Sequence, residues 1–177
     1  EAWPALEAGA APPAALASRP RDFLEALVEL RQSVAPSKAA LAALAASFSA
    51  SGYDLRLVRR LLRGGPDARA FAASRLAYVG SPAAARALSL AILREPPGPV
   101  RVAIAEALGV IGDPVFLPSV VDALKGSSPE DRARVGAIAA GFGDEFLSYA
   151  PSLAERREPE IQELLFEAST RSPSEIL

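Results

Sequence analysis

Three glutamates offer the most direct opportunity for chemistry in this chain of 177 residues. Glu160, Glu163 and Glu167 are spaced i, i+3 and i+7, so a helix would carry all three carboxylates on one face. Carboxylates placed in this way can bind a divalent cation. A solvated helix face explains the same spacing more simply, and we therefore predict no metal site here.

The residue types that the chain lacks restrict its chemistry further. It contains no His and no Cys, which excludes an imidazole base, a thiolate nucleophile and a zinc site built from those ligands. The lone Gly141-Phe142-Gly143 is followed by Phe146, where a dinucleotide-binding motif requires a third glycine. These observations predict a protein without catalytic activity of its own and without a cofactor.

Charged residues are distributed unevenly along the chain. Residues 54–101 hold nine arginines and three acidic residues, whereas residues 102–177 hold six basic and thirteen acidic residues. This asymmetry predicts attraction of an acidic partner, and it also allows head-to-tail self-association. A nucleic acid bound by the Arg56–Arg101 region is an alternative. The overall net charge of −2 and the lack of aromatic residues from Arg56 to Arg63 disfavour it.

Some of these charged residues recur at a fixed interval along the chain. Gly112-Asp113 returns 31 residues later as Gly143-Asp144, and 32 residues separate Arg69 from Arg101. A fixed period within the range of about 20–50 residues is typical of stacked copies of one supersecondary unit. The residues that we assign to this repeat frame are Arg101, Gly112, Asp113, Arg132, Gly143 and Asp144.

Each copy of the repeat has the pattern of a helical hairpin. In the clearest copy, apolar residues follow the helical period from Val100 to Ile111, after Pro99 in the first turn. Gly112 is suited to close this helix, and Asp113-Pro114 to begin a second one, expected over residues 114–125. A single hairpin cannot bury its apolar stripe, so the copies must stack.

The sequence from Val100 to Pro114 resembles the HEAT repeat, in particular the short bacterial variety that also occurs in the phycobilisome-lyase repeat group. The resemblance covers residues 66–158 and implies an all-α, right-handed α-solenoid of about four hairpins. It also implies that the turn Asp and the helix-start Arg connect neighbouring repeats. The third copy departs from the pattern, because Gly136 and Gly141 stand where bulkier helix formers are usual.

The domain organisation follows from the same pattern. Residues 19–65 are expected to include an atypical repeat that caps the end of the stack. Within it, Ser37 is expected to begin one helix and Asp54 to cap the next. Because the chain begins with Glu1, we expect a processed periplasmic protein, with a cytoplasmic protein or a fragment of a larger chain as alternatives. The expected segments are an N-terminal arm (1–18), N-terminal helices with an atypical capping repeat (19–65), HEAT-like repeats (66–170) and a C-terminal tail (171–177).

The HEAT resemblance implies a non-catalytic scaffold or adaptor that binds another protein through a concave face formed by the second helices. We expect this partner to contain an acidic or amphipathic segment. An accessory role in a larger enzyme system, as in the bilin lyases, is an alternative that the low aromatic content of 6% disfavours. The residues expected to contact the partner are Arg56, Arg59, Arg60, Arg63, Arg86 and Asp122.

Overall fold

Helices are the only regular elements in the part of the chain that the structure, a computed structural model, describes. These residues are 18–33 and 37–171, so most of the expected arm and the end of the expected tail lie outside them. The predicted all-α class is confirmed. The helices are α1 (Pro20–Ser33), α2 (Lys38–Ala50), α3 (Tyr53–Arg63), α4 (Pro66–Val79), α5 (Pro82–Ile92), α6 (Pro99–Ile111), α7 (Leu117–Asp122), α8 (Pro129–Ala140), α9 (Asp144–Ala154) and α10 (Pro159–Arg171).

The helix ends follow the glycines that mark the repeat. Gly80 and Gly112, which occupy the same position in successive repeats, end α4 and α6 in the left-handed conformation with φ of 58° and 69°. Each donates its backbone N–H to a carbonyl four residues earlier, on Leu76 and Leu108 respectively. This geometry favours glycine, which has no β-carbon to clash. The helix end predicted at Gly112 is therefore confirmed.

The chain forms two compact units, Glu1–Leu88 and Ser89–Leu177, and the boundary between them falls within α5. In the first unit, α3 packs along α4, α2 packs against both, and α1 packs against α4. The ring of Phe48 on α2 lies near the rings of Phe23 and Tyr53, with centroid distances of 6.2 Å and 6.1 Å. The larger buried side chains of this unit are Leu24, Leu27, Leu44, Phe48, Leu57, Leu61, Leu76 and Leu88.

In the second unit the first helices of successive repeats pack against one another. α8 packs against α6 and α10, α7 packs against α6 and α8, and α9 packs against α10. Gly136 of α8 is buried, and a β-carbon added to it would lie 3.2 Å from Cδ1 of Leu164 on α10. This glycine therefore allows two helices to approach closely at a position where the repeat pattern has a bulkier residue. The larger buried side chains here include Ile92, Ile104, Leu108, Leu117, Leu124, Phe146, Leu153, Ile161 and Leu164.

The second helix of the clearest repeat is shorter than predicted. Instead of one helix over residues 114–125, the chain forms a 3-10 turn over Pro114–Phe116 and then α7, which ends at Asp122. Pro118 in the first turn of α7 has no N–H to donate to a carbonyl four residues earlier. The chain before it uses the tighter pattern instead, in which Phe116 N–H donates to the carbonyl of Asp113 at 3.0 Å.

Asp54 does not cap α3 as predicted. Gly52 occupies the N-cap position in the left-handed conformation, so the helix begins at Tyr53 and Asp54 is already its second residue. The carboxylate of Asp54 is buried, and its Oδ2 accepts hydrogen bonds from the hydroxyls of Ser49 and Ser81 at 2.8 Å and 3.2 Å. Asp54 therefore links α3 to the end of α2 and the start of α5.

Candidate functional site

The four arginines predicted on α3 lie on the exposed surface of that helix. Its opposite side buries Leu57 and Leu61 in the core of the first unit. Arginines at this helical spacing occupy adjoining positions on one surface, because residues three and four apart are neighbours. They are Arg56, Arg59, Arg60 and Arg63, and all four are exposed.

Two of these arginines contact aromatic rings. The guanidinium of Arg56 lies 5.3 Å from the ring centroid of Tyr53, and that of Arg60 lies 4.7 Å from the centroid of Phe71. The ring of Phe71 also contacts the guanidinium of Arg75 at 5.0 Å. Cation–π contacts of this kind hold the side chains of Arg56 and Arg60 against the first unit.

Arg59 and Arg63 have no such partner among the described residues, and no described carboxylate lies within ion-pair distance of either. Beside them, Leu55 and Leu62 are exposed over 60% and 56% of their surfaces. Leu55, Arg59 and Leu62 are spaced i, i+4 and i+7, which places them in one row along the helix. We call Leu55, Arg56, Arg59, Leu62 and Arg63 the α3 face.

Leu55 and Leu62 are not among the residues predicted from the sequence to form the site. They could have been found from the sequence, because helical spacing places Leu55 and Leu62 on the same side of the helix as the arginines. An exposed helix surface usually carries polar residues at such positions. Apolar side chains beside charged ones are typical of protein-binding surfaces, where they lose contact with water on binding.

The other two residues predicted to contact a partner lie elsewhere. Arg86 is exposed on α5, and Asp122 belongs to the second unit. Asp122 is engaged within that unit, because its Oδ1 accepts a hydrogen bond from Arg156 at 2.7 Å and lies 3.3 Å from Nζ of Lys125. The structure therefore groups the α3 arginines on one helix and places Asp122 in a separate ion cluster.

Glu158 completes the ion cluster around Asp122. Its carboxylate accepts hydrogen bonds from two nitrogens of Arg156, at 3.2 Å and 3.1 Å, and lies 3.3 Å from Nζ of Lys125. The hydrogen bond from Arg156 holds the pKa of Glu158 at about 2, with a smaller contribution from Lys125. The same hydrogen bond raises the pKa of Arg156. The cluster joins the end of α7 to the loop before α10.

The repeat-frame arginines bind backbone carbonyls. Arg101 at the start of α6 donates to the carbonyls of Asp122 and Lys125, at 2.7 Å and 3.2 Å, and so connects the two helices of a single repeat. Burial lowers the pKa of Arg101, and the nearby charge of Asp122 opposes this effect. Arg132 donates to the carbonyl of Ser127 at 3.0 Å and to Glu163 on α10 at 2.9 Å.

The repeat-frame aspartates act locally. Asp113 caps the 3-10 turn, because its Oδ1 accepts the backbone N–H of Val115 at 3.1 Å. Asp144 does not cap α9, because Gly143 is the N-cap residue and Asp144 is the first residue inside the helix. A side chain at that position cannot reach back as a cap, although its negative charge is favourable at the helix N-terminus.

Two of the three glutamates spaced along α10 contact other groups of the chain. Glu160 accepts the backbone N–H of Gly126 at 3.3 Å, and Glu163 pairs with Arg132. Hydrogen bonds from its own backbone N–H and from that of Gly126 lower the pKa of Glu160. Within the described residues, no group of three or more His, Cys, Asp or Glu side chains is placed to hold a metal ion.

A comparison with protein families identifies the repeat. Residues 55–141 match the family model of HEAT repeats. This segment of the chain consists of HEAT repeats. The match begins within α3, in the segment predicted as an atypical capping repeat, and together with the helical architecture it supports the all-α solenoid class. The closer resemblance to the short bacterial and phycobilisome-lyase varieties stays a prediction.

Two further comparisons gave no relatives. No curated protein and no solved structure matches the chain. None of the helices in residues 18–33 and 37–171 combines the length and the apolar character needed to span a bilayer. HEAT repeats generally mediate protein–protein interaction as scaffolds.

Proposed function

We propose that this protein is a non-catalytic scaffold or adaptor, and that it binds a partner protein through the α3 face. The observation that carries the proposal is the pairing of exposed leucines with Arg59 and Arg63, which have no described carboxylate partner. α3 is the second helix of its hairpin, the position that the HEAT resemblance assigns to the binding surface.

The two kinds of side chain on the α3 face have different roles in this proposal. Leu55 and Leu62 supply apolar area whose removal from water favours binding. Arg59 and Arg63 steer an acidic partner toward the surface and fix its orientation, because charges contribute more to association rate and specificity than to affinity. A partner segment with both acidic and apolar residues can contact the arginines and the leucines of the α3 face together.

Affinity capture with a pair of variants tests the proposal. The α3 variant, Arg59→Glu/Arg63→Glu, reverses two charges on exposed positions that make no described contact. The control variant, Arg94→Glu/Arg157→Glu, makes the same charge change at two exposed arginines outside α3 that also lack described side-chain contacts. Both carry the same net charge, so a general effect of lowering the charge acts equally on them.

We expect the parent and the control variant to retain a common set of captured proteins, quantified by mass spectrometry, and the α3 variant to lose it. Circular dichroism should give the same helical spectrum for all three proteins. Equal capture by the α3 variant and the control would overturn the proposal. Tight, salt-sensitive binding of DNA or RNA by the parent, lost in the α3 variant alone, would instead support the nucleic-acid alternative.

A further inference from the structure

We infer that the partner segment for the α3 face is α10 of a second copy of this chain, so that copies associate head to tail. This inference rests on the proposed role of the α3 face as a binding surface. It identifies the acidic, amphipathic segment of the partner as a helix of this same protein.

The outward surface of α10 combines acidic and apolar character. Ile161 and Leu164 face the core of the second unit, whereas Phe166 is exposed over 70% of its surface. Glu163 lies one helical turn before Phe166, and its side chain is 51% exposed. Residues three apart are neighbours on a helix, so an exposed carboxylate and an exposed aromatic ring share one face of α10.

This surface matches the α3 face in spacing. On α3, Leu62 lies three residues after Arg59, and on α10, Phe166 lies three residues after Glu163. A parallel arrangement that packs the ring of Phe166 against Leu62 therefore brings Glu163 beside Arg59. Apolar groups then meet apolar groups, and the carboxylate meets a guanidinium.

Glu163 can accept this second cation while it keeps its contact within the chain. Its Oε2 accepts the hydrogen bond from Arg132 at 2.9 Å, and no described hydrogen bond uses Oε1. An ionised carboxylate has about four acceptor sites and acts only as an acceptor. A guanidinium from a second copy therefore adds to the pair without displacing Arg132.

The distribution of charge favours the same arrangement. Nine arginines against three acids in residues 54–101 face thirteen acids against six basic residues in residues 102–177 of another copy. Because α3 and α10 are different surfaces, each copy keeps one unused face after pairing. Such heterologous contacts build open chains, or rings where the rotation closes.

Sedimentation velocity of the full chain tests the inference. We expect the parent and the Arg94→Glu/Arg157→Glu control to gain mass with concentration at low ionic strength. Both should return toward the monomer in about 1 M salt, where the Debye length falls to about 3 Å. A parent that stays monomeric at every concentration would overturn the inference.

Two half-defective variants make the test specific for the two faces. Arg59→Glu/Arg63→Glu disables the α3 face and keeps α10, and Phe166→Arg disables the exposed surface of α10 and keeps the α3 face. Each should be monomeric alone. Their mixture should form a dimer that cannot grow further, because one intact face of each kind remains. A mixture that stays monomeric would overturn the pairing of α3 with α10.

The outcomes separate this inference from the proposed function. If the parent is monomeric but the α3 variant still loses its captured proteins, the self-association is wrong and the proposed function stands. If the α3 variant both captures every protein and self-associates as the parent does, the proposed function is wrong as well.

Discussion

Gly109 on α6 lies against Ile138 on α8 so closely that a β-carbon added to the glycine would be 2.6 Å from Cγ2 of the isoleucine. This methyl group is attached to the branched β-carbon of Ile138, whose χ1 rotation is restricted in a helix. The side chain therefore cannot easily turn away. The absence of one methyl group at Gly109 sets how closely the first helices of two successive repeats approach.

Gly109→Ala is expected to lower the free energy of unfolding. Alanine favours a helix over glycine by about 1 kcal/mol, but overpacking at a helix contact costs about 1–3 kcal/mol. Urea denaturation measures the balance. In an Ile138→Ala background the same substitution should be neutral or stabilising, because the clashing methyl group is gone. A higher urea midpoint for Gly109→Ala in the parent sequence would contradict this account.

Leu108→Ala is expected to destabilise the protein by about 2–5 kcal/mol, because Leu108 is completely buried. The matched control is Val110→Ala two residues later on the same helix, where the side chain is exposed. That change should alter stability by no more than about 0.5 kcal/mol. Urea denaturation of both variants provides the comparison, and similar midpoints for the two would exclude Leu108 from the core.

Arg101→Lys tests the link between α6 and α7. Lysine keeps the charge but lacks the planar fork that reaches the carbonyls of Asp122 and Lys125 together. We expect a loss of about 1.5–3 kcal/mol, the range for hydrogen bonds to charged groups. Arg134→Lys is the control, because its exposed pair with Glu106 should contribute only about 0–1 kcal/mol. Equal thermal midpoints for the two variants would show that the fork contributes little.

Glu158 is expected to make stability depend on pH in the acid range. Its pKa is lowered from the ordinary 4.5 to about 2 in the folded protein, so the folded state favours the charged form. The stabilisation is therefore complete above about pH 4.5 and is lost as the pH falls toward 2. The expected difference in unfolding free energy between the parent and Glu158→Gln shrinks over this window.

The matched control for this pH series is Glu145→Gln. Glu145 is exposed at the start of α9 and forms no ion pair with any described residue. Urea denaturation at each pH gives the two differences. If the difference for Glu158→Gln were constant from pH 6 to pH 2, about the range of its titration, the Arg156 hydrogen bond would not contribute to stability.

The helices could be predicted from the sequence because their boundaries are set by local signals. Pro82, Pro99, Pro129 and Pro159 each begin a helix, since proline fits a first turn and cannot donate a backbone hydrogen bond. The role of Asp54 could not be predicted in this way. It depends on Ser81, which is distant in the sequence, and on which of two nearby positions becomes the N-cap.

The candidate site was predictable to a similar degree. The clustering of arginines on α3 follows from helical spacing, which sequence alone supplies. The pairing of Asp122 with Arg156 does not, because those residues are far apart in the sequence and meet only through the packing of the second unit. Local patterns identify which side of a helix is exposed, and long-range contacts decide which charges remain available on it.

Ser81 occupies the position in its repeat that Asp113 occupies in the next. Its hydroxyl donates to the buried Asp54 and accepts the N–H of Ala84, whereas a carboxylate can only accept. An aspartate at residue 81 would place a second negative charge against Asp54. The turn of one repeat therefore cannot replace the turn of another without changing the contacts of Asp54. A gene conversion that copied the Asp113 turn into the preceding repeat would be tolerated only with a compensating loss of the acid at residue 54.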